Sequence, residues 1–332
     1  MNIDSLLQSF NQKTILVLGD MMIDAYLNGK VTRVSPEAPV PIVNFESRED
    51  RLGGAANVAL NLKAMGAKAI LCSTIGVDEN GKRMIKLMKK NELVTQGILN
   101  SSDRMTTVKT RVIGNNQQLL RIDSEESSDI NSADEELLLD RIAQLINTEV
   151  IDAIILEDYN KGILTDKVIR QTVELANVKG IPTTVDPKKK NFFSYENVTL
   201  FKPNLKELKE GLDLQFKFSK TNTTDFENAV NTLMGRLNCE KTFITLSEHG
   251  VFIQEKEERK YVDAHQRNIT DVSGAGDTVI SVATLCLTAG CSNIEIAEIA
   301  NLAGGLVCEH VGVVSVDKDK LQKELLKLYA NV

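Results

Sequence analysis

The chain has 332 residues, 42% of them hydrophobic and 26% charged, with a formal net charge of -7 and a pI near 5.3. That length suits one large α/β domain or two smaller ones, and the composition excludes a disordered chain. The acidic balance argues against a broad nucleic-acid surface but leaves room for a small basic pocket that takes an anionic metabolite.

In chain order, the N-terminus has no basic leader, and its apolar stretch falls short of the roughly 18 residues a membrane span requires, so neither export nor insertion is expected. TILVLGD reads as a first strand, ending in Gly19-Asp20. The following stretch, AYLNGKVTRVSPEAPVPIVNFESRE, carries Pro36, Pro39 and Pro41 and reads as an excursion of strands rather than a helix. GAANVALNLKAMG is a helix, AILCSTIG a strand and ENGKRMIKLMKKNEL another helix. RMTTVKTRVIGNNQQLLRID is again strand-like, and SEESSDINSADEE is an acidic, serine-rich loop. DAIILEDY, TDKVIRQTVELANVKG, PTTVD, VTLFKPN and KTFITLS resume the alternation, which predicts a mostly parallel sheet with helices on both faces. Ligands in such sheets gather at the carboxyl ends of the strands, where Asp20, Asp158, Asp186, Asn204 and Ser247 fall. The two interrupting segments, approximately 27–48 and 104–124, predict a small β-sheet lid on a single domain, 1–332.

The five cysteines form no CxxC pair, and the three histidines show no metal spacing. A reducing, cytoplasmic setting is expected, with no structural zinc. Gly76-Val77-Asp78-Glu79-Asn80-Gly81-Lys82-Arg83 nearly matches a P-loop, but Arg83 stands where the Mg²⁺-binding hydroxyl is required. The first strand is not followed by GxGxxG, so a dehydrogenase is improbable. Gly53-Gly54-Ala55-Ala56-Asn57 opens a helix with glycine backbone and an amide, groups that suit sugar hydroxyls and equally suit a capped turn. Asp24 is open to the same two readings.

Gly274-Ala275-Gly276-Asp277 is the most informative motif. Glycines that let backbone N–H groups crowd an anion precede an apolar helix, and a carboxylate stands beside them. That arrangement suits phosphoryl transfer, with Asp277 as the base for the attacking hydroxyl. Asp277 as a mere first-turn carboxylate is the competing reading. If Gly276 adopts φ > 0, replacing it would act through backbone strain as well as bulk.

GDMMIDAY, GGAANVA, the TVKTR and NQQLLRID pair, KPNLKE, TLSEHGV and DVSGAGDT, in that order over nearly the whole chain, resemble the ribokinase-like (PfkB) sugar kinase family. VTRVSPEAPVPIV, RLGGAANVA, NQQLLRID and DYNKG look most like its members acting on D-glycero-D-manno-heptose 7-phosphate, including the kinase half of bifunctional heptose enzymes. The resemblance implies a three-layer α/β fold with a mostly parallel central sheet and a small β-sheet lid. It also implies ATP-dependent phosphorylation of the anomeric hydroxyl, on the way to ADP- or GDP-heptose for surface polysaccharide. No nucleotidyltransferase motif follows, so the expected counterpart is the stand-alone kinase.

Carried over residue by residue, the resemblance makes Asp277 the base and puts the anion hole on the backbone of Ser273, Gly274, Ala275 and Gly276. Asn204 and Glu207 match the NxxE motif that organises Mg²⁺ through water. Thr245, Ser247 and Gly250 should lie along the ATP ribose and phosphates, and Asp24, Gly53, Gly54 and Asn57 match the sugar site. Asp271 and Ser273 lie where many relatives hold a monovalent cation such as K⁺. Lysines in DPKKKN and Glu157, where serine is common, depart from the pattern. A sugar phosphate needs cations, and Arg33, Lys109, Arg111, Arg121 and Lys161 are candidates by their place in the lid or at strand ends. The expected partners are the sugar phosphate, ATP and a second copy of the chain joined through the lid. A kinase for another sugar or a nucleoside, and a catalytically silent binding protein, remain the alternatives.

Overall fold

The computed structural model describes residues 2–330. Thirteen strands run in chain order: β1 (Thr14–Gly19), β2 (Met21–Val34), β3 (Pro41–Gly54), β4 (Lys68–Gly76), β5 (Ile98–Ser101), β6 (Val108–Gly114), β7 (Gln117–Ser124), β8 (Ala153–Glu157), β9 (Thr183–Asp186), β10 (Leu200–Phe201), β11 (Lys241–Thr245), β12 (Val251–Glu255) and β13 (Glu258–Val262). The helices are α1 (Ile3–Ser9), α2 (Ala55–Ala64), α3 (Glu79–Lys90), α4 (Ser132–Thr148), α5 (Asp166–Lys179), α6 (Leu205–Leu212), α7 (Thr224–Leu237), α8 (Ala275–Thr288), α9 (Asn293–Val307) and α10 (Lys318–Ala330).

The central sheet has the order β13-β12-β11-β10-β9-β8-β1-β4-β5. Its pairings are parallel from β11 through β5, and only β12 and β13 are added antiparallel at one edge. Side chains alternate across the strands, so the two faces bury different sets. Ile15, Val17, Ala153 and Ile155 join a core with residues of α1, α2, α8, α9 and α10. Leu16, Leu18, Ile154 and Leu156 join the other, with residues of α4, α5 and α7. The result is the expected three-layer α/β fold.

A second sheet, β3-β2-β6-β7, is the lid. It is rooted more deeply than the sequence suggested. β2 starts one residue after β1, and β3 runs into α2, so Met21–Tyr26 and Leu52–Gly54 are buried in the body while the outer halves project. The acidic loop is also shorter than expected. Its second half is the first turn of α4, capped by Asn131, whose side chain accepts from Asp134 N. The near-P-loop segment is a cap too: Asp78 accepts from Gly81 N at 2.6 Å and Thr106 N at 2.8 Å, starting α3.

Candidate active site

Gly274 takes φ +80° and ψ 0° at the head of α8, a left-handed turn that glycine adopts without strain. α3, α4, α5 and α6 all begin under a side-chain cap, from Asp78, Asn131, Thr165 and Asn204. α8, like α2 and α7, begins with none. Of the four N–H groups expected to form the anion hole, that of Ser273 is given to Asp271 and that of Ala275 to the Val272 carbonyl, so the hole as expected is only partly open. The positive end of the helix dipole still favours an anion there. Gly276 lies inside the helix and is absent from the positive-φ residues, so backbone strain is not its role. A Cβ there would come within 3.3 Å of Asp186 Oδ2 and 3.8 Å of Lys202 Nζ. A side chain there would crowd Asp186, while its approach to Lys202 is an ordinary contact.

Asp277, one residue on, is 3% exposed. Both of its carboxylate oxygens are engaged: Tyr159 donates its hydroxyl to Oδ1 at 2.7 Å, and Asn57 donates Nδ2 to Oδ2 at 2.7 Å. Burial pushes the Asp277 carboxyl up to about 6, against the two hydrogen bonds, which favour the ionised form. A base poised there is ionised at neutral pH yet basic enough to accept a proton. Asn57 therefore contacts the candidate base, in addition to lying beside the glycines of the expected sugar site.

The loop that carries Tyr159 is fixed by Asp20. Its carboxylate accepts from the backbone N–H groups of Tyr159 at 2.8 Å, Lys161 at 3.0 Å and Ile163 at 3.1 Å. Asp158 accepts from Asn160 N and from the buried Tyr195 hydroxyl. Two of the strand-end acids are thus loop anchors.

Beneath α8, Asp186 at the end of β9 pairs with Lys202 at 2.7 Å and lies 3.6 Å from Lys188. Burial alone would lower the pKa of Lys188, but Asp186 and Glu207 raise it above the ordinary lysine value. Burial likewise opposes ionisation of Asp186, and Lys202 and Lys188 overcome it. Asn204 and Glu207 form a reciprocal capping box on α6. Glu207 Oε2 accepts from Asn204 N at 2.9 Å, and Oε1 pairs with Lys188 at 2.6 Å. Thr245 ends β11, and Ser247 (φ 54°) and Gly250 (φ 90°) form the turn into β12 at the same end of the sheet.

On the lid side, Arg111 donates to Asp24 at 2.6 Å, and a Cβ on Gly53 would collide with Asp24 Oδ2 at 2.0 Å. Gly54 has φ +60° at the entry to α2. Glu125 bridges Lys109 and Lys161, 2.9 Å from each. Arg121 pairs with Asp123 on exposed β7, and Arg33 is exposed near the outer end of β2. Asp271 Oδ1 accepts from Ser273 N and Oγ, and Oδ2 accepts from Gly312 N. Arg51, stacked on Tyr26, donates to the carbonyls of Val311 and Val313 and so ties the lid to that loop.

The structure thus unites Asp277, Gly274, Gly276 and Asn57 with residues the sequence reading did not assign to catalysis: Tyr159, Asp186, Lys188 and Lys202. Asp186 was visible as a strand-end acid, and Tyr159 as part of DYNKG. Lys188 and Lys202 lie inside the DPKKKN and KPNLKE segments, but nothing there assigned them to the site. Among the described residues no cluster of three or more His, Cys, Asp or Glu side chains could hold a metal ion, and no helix is long and apolar enough to cross a membrane.

The sequence profile of the pfkB family carbohydrate kinases matches residues 12–320. The chain is 37% identical over 311 residues to the "Bifunctional protein HldE" of Methylobacillus flagellatus, and 39% over 300 residues to that of Helicobacter pylori. Those alignments take in 94% and 90% of the chain but only 63% and 64% of the relatives' length. Among solved structures, phosphofructokinase-2 of Escherichia coli in complex with potassium superposes with a TM-score of 0.78 at 17% identity, covering 96% of this chain and 99% of that one. Ribokinase of Arabidopsis thaliana, complexed with ribose and ATP, gives 0.71 at 15%, covering 95% and 98%. At such identities these two speak to the fold alone.

Proposed function

Because the chain belongs to the pfkB family of carbohydrate kinases, we propose that it transfers the γ-phosphoryl group of ATP to the anomeric hydroxyl of D-glycero-D-manno-heptose 7-phosphate, giving the 1,7-bisphosphate. The product would feed ADP- or GDP-heptose and surface polysaccharide synthesis. The observation that carries the chemistry is Asp277 at an uncapped helix start, with both oxygens oriented and its carboxyl near 6. The sugar is supported by VTRVSPEAPVPIV and NQQLLRID together with the likeness to the HldE proteins.

In this reading the sugar lies between Asp24, Gly53, Gly54 and Asn57, and its anomeric hydroxyl gives its proton to Asp277. The N–H groups at the start of α8, with Lys202 and Lys188 below, stabilise the charge on the transferring phosphoryl group. Thr245, Ser247 and Gly250 line the nucleotide. Glu207, whose oxygens are already held by Lys188 and Asn204, fits contact with Mg²⁺ through water, and the ion would supply further neutralisation of the phosphates. A monovalent cation, if used, belongs at Asp271 and Ser273. The lid excludes water from the transfer.

One observation favours an unphosphorylated sugar instead: Lys109, Arg111, Arg121 and Lys161 are each already paired with a carboxylate. ATP turnover on a panel of heptose 7-phosphate, heptose, fructose 6-phosphate, fructose, ribose and adenosine decides among these. Highest kcat/KM on heptose 7-phosphate is expected, and no turnover of any member would leave a silent binding protein.

A further inference from the structure

Glu157 is the last residue of β8 and is 0% exposed. Strand periodicity puts it on the face of Ala153 and Ile155, under α8. In register it stands opposite Gly19 on β1 and Asp186 on β9. Asp186 faces α8 as well, because Thr184, two residues before it, hydrogen-bonds Thr284 of α8 at 2.7 Å. Two carboxyl groups therefore lie side by side on neighbouring strands beneath Gly276.

The cations there are unequally shared. Lys202 is taken by Asp186 and Lys188 by Glu207, while neither carboxyl oxygen of Glu157 has a hydrogen-bond partner among the described residues. A buried, unpaired carboxylate is costly when ionised, whereas a protonated one carries no such charge.

We propose that Glu157 holds a proton at neutral pH in place of a third cation in this cluster, and that loss of the proton at alkaline pH weakens binding of the nucleotide phosphates above it. The inference rests on the kinase reading only in taking the α8 start as the phosphate site. The groups facing Glu157 are Asp186 on β9, Lys188 in the following loop, Lys202 after β10, Asp277 on α8 and the phenol of Tyr159, while Tyr195 lies in the core of the opposite sheet face, within electrostatic reach. Burial, then Asp186 and Asp277, push the Glu157 carboxyl well above the ordinary glutamate value, against Lys202 and Lys188. Glu157 is thus a positioning residue whose neutrality limits the negative charge that a polyphosphate meets.

The test is MgATP binding by calorimetry from neutral to alkaline pH on wild type, Glu157→Gln and Glu157→Ser, which needs no sugar. Affinity of the wild type should fall on the order of tenfold over the ionisation of one nearby carboxyl, and both variants should lack that fall. An identical alkaline fall in all three proteins would overturn the proposal. A second readout guards against misfolded variants: with isotope-labelled glutamate, wild type should show the infrared carbonyl band of a protonated carboxyl at neutral pH, lost as pH rises. Absence of that band would overturn the proposal too. Failure of wild type to bind MgATP would overturn the binding half and count against the kinase reading, leaving the band to decide protonation. Normal MgATP binding without turnover of heptose 7-phosphate would count against the substrate alone.

Discussion

Asn57 in the first turn of α2 and Asp277 in the first turn of α8 are 220 residues apart and meet through a 2.7 Å hydrogen bond. The same junction is stitched again by Asn61, which accepts from Thr278 at 2.9 Å. α2 and α8 thus meet through buried polar side chains, so the Asp277 carboxylate is located by the packing of two helices.

Asp277→Asn should lose about 10²–10⁴ in kcat while MgATP still binds, the range for removal of a positioned base. The wild-type rate should also fall as pH drops through about 6, because protonation removes the base. Stability carries the opposite sign. A carboxyl raised from 3.8 to about 6 makes the folded state bind a proton the unfolded chain has released, at a cost of up to about 3 kcal/mol at neutral pH. The asparagine recovers only part of this, since its amide group must face one of two donors. Melting curves should show the variant gaining on wild type as pH rises from 4 toward 7, and a constant difference would mean that Asp277 is not raised.

Tyr159→Phe removes one donor to the ionised form of Asp277. The acid limb of kcat/KM should therefore move to higher pH, with the rate at neutral pH falling by up to about tenfold. Asn57→Ala should move the limb the same way and also raise KM for the sugar. A pH profile unchanged in both would separate these side chains from the base.

The two glycines flanking Ala275 should fail differently. Gly274→Ala places a side chain at φ +80° and 2.9 Å from Asn57 Nδ2, and should cost roughly 1–2 kcal/mol of stability from the backbone conformation alone. Gly276→Ala meets no such strain. It crowds Asp186 instead, so the loss should appear in MgATP affinity with the melting temperature nearly kept. Equal effects on stability would refute the distinction.

How far the sequence reaches follows from the range of the interactions. Alternating apolar runs and the acids after them reveal the sheet, its layers and its ligand-bearing end, because hydrophobic periodicity is local. GAGD reveals the candidate base for the same reason. Lys202, Tyr159 and Asp186 gain their roles only when β8, β9 and β10 are set beneath α8, a tertiary event without a local signature. Glu157 stood out in the sequence only as an unusual residue, and its lack of partners became visible in three dimensions. The start of α4 was legible and missed: Asn131 ahead of an acidic first turn and an apolar run is a helix-start signal.

The bridge from Lys109 through Glu125 to Lys161 shows two lysines placed to share one anion, the arrangement a sugar phosphate would use. If it does, Lys109→Ala or Lys161→Ala should each cost about 1.5–3 kcal/mol in binding of the phosphorylated sugar, and Glu125→Gln should tighten it. Affinity should also weaken with salt. Arg111→Ala should act differently, by freeing Asp24, and raise KM for phosphorylated and plain sugars alike. Equal kcat/KM for heptose and heptose 7-phosphate on wild type would defeat the phosphate assignment.

The lid leaves both of its edge strands, β3 and β7, open, its outer half exposes Val34, Val40, Phe45 and Leu120, and Ile122 is exposed on β7 nearer the body. A small sheet with an apolar side and free edges is marginal in water unless something covers it. A second copy related by two-fold symmetry covers both lids at once, because the same patch serves each partner. Light scattering at micromolar concentration should therefore report a dimer. Phe45→Lys with Leu120→Lys should shift it toward monomer and, if the lid covers the sugar side as proposed, raise KM for the sugar more than for ATP. A wild-type monomer at all accessible concentrations would remove the dimer, and a dimer untouched by the two lysines would place its interface elsewhere.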